Sequence, residues 1–305
     1  MREYVIDNAK RMKIILETHV MSQNGYLIKA LSIDSKETSF GSQAGDFQKL
    51  HKIAFLKIFL TFDGAILINL AKHILQNDID RLPFYESGQW DSLIKQLVEE
   101  YTRKKDLEFG DQKKLNTLRD FISRKKYNPE TIRHHFPPRV GALSDFGIIE
   151  YERKDSGGII YKKTQKTQKF VDSFPDFRAI DQSLNGKTGD FYSRISNLMG
   201  YESEKFDIEN DFENISEHIK SAYERAKFEK NDMIPLNAID NIVAIRSLLG
   251  VEPKDKTNES IDSQHSKICE PINVRTVLKK MISESKNFRT HVNRRGLPYY
   301  LCEKK

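Results

Sequence analysis

Few residues in this chain have the types and spacing that chemistry requires, and the strongest candidates lie between residues 133 and 166. Glu152-Arg153-Lys154, with Asp145 upstream, forms an acidic, acidic-x-Lys set that can hold a divalent metal beside a phosphodiester. That chemistry needs the carboxylates and the lysine side by side on paired strands. Asp145 instead falls in a helical pattern ahead of the strand that carries Glu152. His134 and His135 are adjacent, so on a helix they diverge by about 100° and do not easily share one ion. One packed histidine, with the other on solvent or phosphate, is the preferred reading. Glu284-Ser285-Lys286 is a weaker acidic-x-Lys triplet because its pattern is helical, and His291-Val292-Asn293 lacks a second histidine and metal partners. The chain has no Gly-x-x-x-x-Gly-Lys-Ser/Thr loop, no Gly-x-Gly-x-x-Gly after a strand and no Gly-x-Ser-x-Gly elbow. Asp145-Phe146-Gly147 stands without the other kinase signatures. We therefore expect no catalytic residues, no metal and no cofactor.

What remains is binding chemistry. Arg153, Lys154, Lys162 and Lys163 flank a Ser156-Gly157-Gly158 tip whose glycines let backbone approach another surface closely. Net charge is +6, and Tyr101–Lys169 alone holds 17 Lys/Arg against 9 Asp/Glu, a surplus of 8 that leaves the rest of the chain near −2. A positive surplus concentrated in one segment is the footprint of a phosphate-backbone binder. A solvated lysine-rich face is the alternative.

The elements that position these charges have local causes. Asn128 suits a helix N-cap and Pro129 its first turn. Ile132 and Phe136, then Val140 and Leu143, recur at helical spacing. Gly147 falls where a left-handed residue would end the helix, with Ile148 closing over Leu143. IIEYER and IIYKK are β-branched and aromatic runs around KDSGG, which predicts a hairpin. Thr164 is placed to cap a helix carrying Phe170, Val171 and Phe174, which Pro175 ends. Pro137 and Pro138 interrupt the first helix, because an interior proline costs around 3 kcal/mol. The version preferred here has TIRHHF and PRVGALSDF as two short helices.

Helix, glycine stop, strand, glycine turn, strand is the order of a winged helix-turn-helix. The stretch RVGALSDFGIIEYERKDSGGIIYKKT resembles that superfamily in its basic residue, its spaced leucines and its second wing strand. The resemblance spans roughly fifty residues of the central segment. It implies double-stranded DNA as partner, with Arg133, Arg139 and His134 or His135 toward the major groove or its rim. Arg153, Lys154, Lys162, Lys163 and Lys166 would then lie on the wing or the adjacent phosphates. Arg139 is favoured among these because the two prolines place it on the second short helix. Winged helices also serve as protein-interaction modules, so a protein partner or a homodimer is the competing use of the same surface.

Elsewhere the reading is coarser. The two cysteines, Cys269 and Cys302, form no Cys-x-x-Cys or Cys/His cluster, which fits a reducing cytosol. MREYVIDNAKRMKIIL has no signal-peptide core and no run suggests a membrane span, so a soluble cytoplasmic protein is expected, without membrane contact. Asn24-Gly25 reads as a turn between apolar runs that fit either two strands or two short helices, followed by a loop over residues 34–45. A helix from Asp46 is expected to stop at Asp63-Gly64, with a second to Leu75 and others around Trp90 and Leu118.

The expected organisation is a mostly helical N-terminal region (1–85), a winged helix-turn-helix domain (86–178), an acidic linker (179–210) with some helix near Phe191–Leu198, and a C-terminal helical domain (211–305). In the last, helices from Phe212, after Pro235 and from Pro271 precede a hairpin with Arg294 and Arg295 at its turn, so a second winged-helix-like unit is expected. The fold class is thus mainly α. The expected function is non-catalytic DNA binding, as a transcriptional regulator or the recognition subunit of a restriction or phage-defence complex. A winged-helix scaffold subunit and a metal-dependent nuclease are the alternatives.

Overall fold

Apolar residues recur at helical spacing through much of this chain, and its computed structural model is mainly helical. It describes residues 23–37, 44–76, 139–153, 159–185, 189–201, 203–227, 232–251, 267–284, 287–292 and 298–303, with the single positions Glu99, Asn116 and Asp120. Two compact units emerge, Met1–Phe62 with Arg178–Lys305, and Asp63–Phe177. Against the expected segments, the chain thus leaves the second unit after Phe177, while the first 62 residues group with the C-terminal half.

In the first unit, α1 is Gln23–Glu37 and α2 is Ala44–Gln76, of which residues up to Phe62 belong here. After α5 (Phe177–Asn185), α6 (Phe191–Met199) and β3 (Glu204–Lys205) come α7 (Phe212–Ala226), β4 (Ile234–Pro235) and α8 (Leu236–Leu248). β5 (Lys267–Ile268), α9 (Pro271–Glu284), β6 (Phe288–Val292) and β7 (Pro298–Glu303) complete it. α8 is the core: from Leu236 to Leu248 every residue except Asn237 is buried, and α1, α6, α7 and α9 pack around it. A helix buried on all sides is largely apolar, as Ile239, Ile242, Val243, Ala244 and Ile245 make this one, but α8 also buries Asp240, Asn241, Arg246 and Ser247. α7 turns Ile215, Ile219, Ala222, Tyr223 and Ala226 inward, and α9 turns Val274, Val277, Leu278 and Met281.

The three-stranded antiparallel sheet has the order β4-β7-β6, with Leu301 of β7 opposite both Ile234 and Thr290. A bulge between His291 and Val292 twists the edge strand. Tyr223 fastens the sheet to α7: its ring meets Phe288 edge-on at 5.3 Å, and its hydroxyl donates to the carbonyl of Asp232 at 2.6 Å. β3 and β5 form a separate parallel pair. As expected, Pro235 stands at the N-cap of α8 and Pro271 opens α9. Gly250 ends α8 at φ 64°, with Val251 N–H reaching the carbonyl of Arg246 at 2.9 Å.

In the second unit, residues 139–145 form α3, followed by β1 (Ile149–Arg153), β2 (Ile159–Lys163) and α4 (Gln165–Ser173). The glycine stop is as expected: Gly147 has φ 70°, its N–H donates to Ser144 O at 2.8 Å, and Ile148 N–H donates to Leu143 O at 2.9 Å. β1 and β2 pair antiparallel with Tyr151 opposite Tyr161. Thr164 and Thr167 form a capping box at the start of α4, and both reach back: Thr167 Oγ1 donates to Ile148 O at 2.5 Å. The hairpin is thereby tied at its base to the turn before it and the helix after it.

Three expectations are corrected. Asn24-Gly25 is not a turn but lies in α1, which runs to Glu37 and so takes in the start of the loop expected at residues 34–45. Asp63-Gly64 does not stop a helix: α2 continues to Gln76. A mid-helix glycine costs only about 1 kcal/mol, less than the burial of Leu67, Ile68 and Leu70 beyond it stabilises. The segment 179–210 is not a plain linker, because α5 and α6 occupy much of it and Phe191, Tyr192, Ile195 and Leu198 are buried. Helix across Phe191–Leu198 agrees with the reading. Lys49–Gln76 of α2, which contains an 18-residue stretch of mean hydropathy 1.8, is long and apolar enough to cross a membrane, unlike the expectation for this chain. Half of that 18-residue stretch is buried within the protein.

Candidate nucleic-acid interface

The central hairpin presents a more balanced surface than its composition suggests. One face of the ladder carries Glu150 and Glu152 from β1 with Lys162 from β2, all exposed, and Glu150 faces Lys162 directly. Lys162 Nζ lies 2.5 Å from Glu152 Oε2, and that hydrogen bond raises the lysine pKa. Lys163 is exposed on the same strand, Lys166 is half-buried in the first turn of α4, and Lys169 is exposed one turn later. Tyr151, between the two glutamates, is 53% exposed.

Arg139 is not simply presented to solvent. Its Nη2 lies 3.0 Å from Asp63 Oδ1, with side-chain exposures of 18% and 27%. Arg153 occupies the last position of β1. Arg133, His134, Lys154, Arg294 and Arg295 lie outside the described residues, as do most of the helices expected before Arg139. The acidic-x-Lys set does not assemble among the described residues: Asp145 is exposed on α3 and Glu152 is engaged by Lys162. No group of three or more His, Cys, Asp or Glu side chains among the described residues could hold a metal ion.

The first unit offers a second cationic surface that residue types and their spacing do not single out. Opposite the buried face of α9 stand Ile272, Thr276, Lys279, Lys280 and Ser283, all exposed and recurring every three or four residues. Lys280 Nζ also lies 4.4 Å from the centre of the Phe212 ring, so its stem crosses the start of α7. The adjoining hairpin exposes Arg289 and His291 on β6 and Tyr299 on β7. The signal was present: once Val274, Val277, Leu278 and Met281 are read as the inward stripe, this set, with Glu284, makes up the exposed residues of the helix.

No protein-family model, curated protein or solved structure matches this chain. The functional reading therefore rests on the topology and on side-chain placement.

Behind the outward face of α9 lies a buried polar centre. Asp240 on α8, with 3% of its side chain exposed, accepts from Arg275 Nε at 2.6 Å through Oδ2. Arg275 also donates through Nη2 to Asn237 Oδ1. Burial pushes the Asp240 carboxyl up to about 7, against the pull of Arg275 and Lys57. Lys57 of α2 retains some accessible surface, yet protein atoms crowd its ammonium and burial brings its pKa down to about 8, with Asp240 opposing. Nearby, Tyr192 donates to Asn241 Oδ1 at 2.6 Å, and Glu270 caps α6 by accepting from the backbone N–H groups of Tyr192 and Ser193. His218 on α7 is buried, and burial with the charge of Arg246 holds its pKa down at about 3, so it is a neutral core residue.

Proposed function

We propose that this protein binds double-stranded DNA without catalysing a reaction, as a transcriptional regulator or as the DNA-recognition subunit of a restriction or phage-defence complex. The observation that carries the reading is the C-terminal succession α7, β4, α8, β5, α9, β6, β7, in which β5 pairs with β3 and the other three strands form a sheet of order β4-β7-β6. Three helices followed by a hairpin, with a short strand after the first helix added to the hairpin's second strand, is the plan of a winged helix-turn-helix. In it α8 and α9 are the two motif helices and β6–β7 the wing. The outward face of α9 supplies Thr276, Lys279, Lys280 and Ser283, whose side chains suit phosphates and base edges. Arg294 and Arg295 lie in sequence between β6 and β7.

The central segment is a second unit of the same kind in this reading, with α3 before the hairpin and Lys162, Lys163 and Lys166 beside it. We place the protein in the cytoplasm and treat α2 as a core helix. The test is a gel-shift titration on duplex DNA at several salt concentrations, comparing wild type with Lys279→Ala/Lys280→Ala. Two lost phosphate contacts lower the slope of log K against log salt by up to about 2. Wild type that shifts no duplex at about 50 mM salt, or a double variant with unchanged slope and affinity, overturns the reading.

A second reading applies to the central hairpin alone, as a surface for a protein partner or a second copy. It is favoured by the 53% exposure of Tyr151 between Glu150 and Glu152 and by the Glu152–Lys162 ion pair, since phosphates do not favour a face with two carboxylates. Charge reversal at Lys162 and Lys163 that leaves DNA affinity intact while a partner is lost supports this use.

A further inference from the structure

Arg275 stands at the border between the buried centre and the outward face of α9. It follows Ile272 by three residues, adjoins Thr276 and precedes Lys279 by four, so it flanks the exposed stripe. Its side chain is 35% exposed while its partner Asp240 is 3% exposed. A guanidinium has five N–H donors, and the bonds to Asp240 and Asn237 use two of them. Asp240 Oδ1 is buried and accepts no hydrogen bond among the described residues.

The groups that face Asp240 come from four places. Arg275 of α9 and Lys57 of α2 are cations; Tyr192 of α6 and Cys269, just before α9, sense its charge and are kept protonated by burial. The carboxylate is thus short of hydrogen-bond donors, opposed by desolvation and stabilised by two cations, of which Arg275 is 35% exposed.

We propose that Arg275 is a DNA-phosphate contact held in reserve by Asp240, and that duplex DNA takes over the guanidinium as Asp240 gains a proton. The inference rests on α9 being the DNA-facing helix. A phosphate approaching Arg275 also approaches the Asp240 carboxylate and repels it. Because burial already places that carboxyl near neutrality, the repulsion is relieved by taking one proton from solvent. Arg275 stays charged throughout; its N–H exchanges a carboxylate oxygen for a phosphate oxygen, and the neutral carboxyl no longer demands a counter-ion. Proton uptake on binding makes affinity rise as pH falls. Lys57 sets the position of the window, since removing it makes Asp240 easier to protonate.

The test is fluorescence-anisotropy titration of a labelled duplex with the full chain at pH 6, 7 and 8 and constant ionic strength. Wild type, Asp240→Asn, Arg275→Ala and Lys57→Met are compared, with folding of each checked by thermal unfolding. Wild-type affinity is expected to fall roughly three- to tenfold from pH 6 to pH 8. Asp240→Asn should bind at pH 8 about as tightly as wild type at pH 6. Arg275→Ala should bind weakly with the response gone, and Lys57→Met should carry the fall to higher pH. Any pH response from other groups survives Asp240→Asn and is thereby separated. Carboxyl NMR of Asp240 gives a second readout, its midpoint rising when DNA is added. A wild-type profile parallel to that of Asp240→Asn, a full pH response in Arg275→Ala, or an Asp240 midpoint unmoved by DNA overturns the inference and leaves DNA binding standing. Wild type that binds no duplex at any of these pH values overturns the DNA reading and the inference with it.

Discussion

The carboxylate of Glu270 accepts the backbone N–H of Ser193 at 2.7 Å across 77 residues of chain. Its other oxygen accepts the N–H of Tyr192 at 3.1 Å, so one side chain satisfies two donors at the start of α6. The backbone of the same residue begins α9: its carbonyl accepts from Asn273 at 2.8 Å and from Val274 at 3.2 Å. Two helix N-termini therefore meet at Glu270, and Asp190, at the N-cap of α6, makes no side-chain capping bond there. Glu270→Ala should cost about 1–3 kcal/mol, because the Tyr192 and Ser193 donors lose their acceptor. Denaturant unfolding reads this as a lower midpoint at unchanged slope. An unchanged midpoint would show that α6 does not depend on this cap.

Gly147 gives a sharper local test. Its φ of 70° is left-handed, and a Cβ built there meets only Lys166 Nζ at 4.0 Å, so substitution is limited by backbone conformation and not by space. Gly147→Ala should lose about 1–2 kcal/mol, and Gly147→Asn distinctly less, since asparagine tolerates this region. Equal losses in thermal unfolding would mean that the turn rearranges.

Those two sites mark what could be read from the chain before its structure. Gly147, Thr164, Pro235, Gly250 and Pro271 were legible because each acts on its immediate neighbours, through φ, a missing N–H or a side chain reaching three residues on. Gly64 was misread for the same reason: the local signal is a stop, but apolar residues on both sides outweigh it. Pairings such as Glu270 with Ser193, Arg139 with Asp63 or Arg275 with Asp240 join distant segments, and no local pattern announces them. The outward face of α9 was recoverable, since it is the complement of a stripe that was recognised. It was passed over because the charge count favoured the central segment.

The crowded Lys57 ammonium makes a stability prediction with a defined pH sense. Its folded pKa of about 8 lies below the unfolded 10.5, so its contribution is fully favourable above 10.5 and is lost as pH falls through 8. At pH 7 the fold therefore bears most of the cost of burying this charge. Lys57→Met should raise stability at pH 7 by about 1–3 kcal/mol, less whatever the weakened hold on Asp240 takes back. The gain should shrink toward zero between pH 8 and 10.5. Denaturant titrations across that range check it, and a gain that does not decline with pH would assign the effect to packing.

Arg139 was favoured from sequence as a DNA contact, and its ion pair with Asp63 changes what its removal should do. The pair is neither fully exposed nor fully buried, at 18% and 27% side-chain exposure, so its loss should cost about 1–2 kcal/mol, between the ranges for surface and buried pairs. Arg139→Ala and Asp63→Asn should each be destabilising, and the double variant should cost less than the sum of the two. If the pair is structural only, the gel-shift affinity of Arg139→Ala stays within about threefold of wild type wherever the variant is folded. A larger loss, with a salt slope lowered by about 1, would show that the guanidinium also reaches a phosphate, and Asp63→Asn should then tighten binding by releasing it.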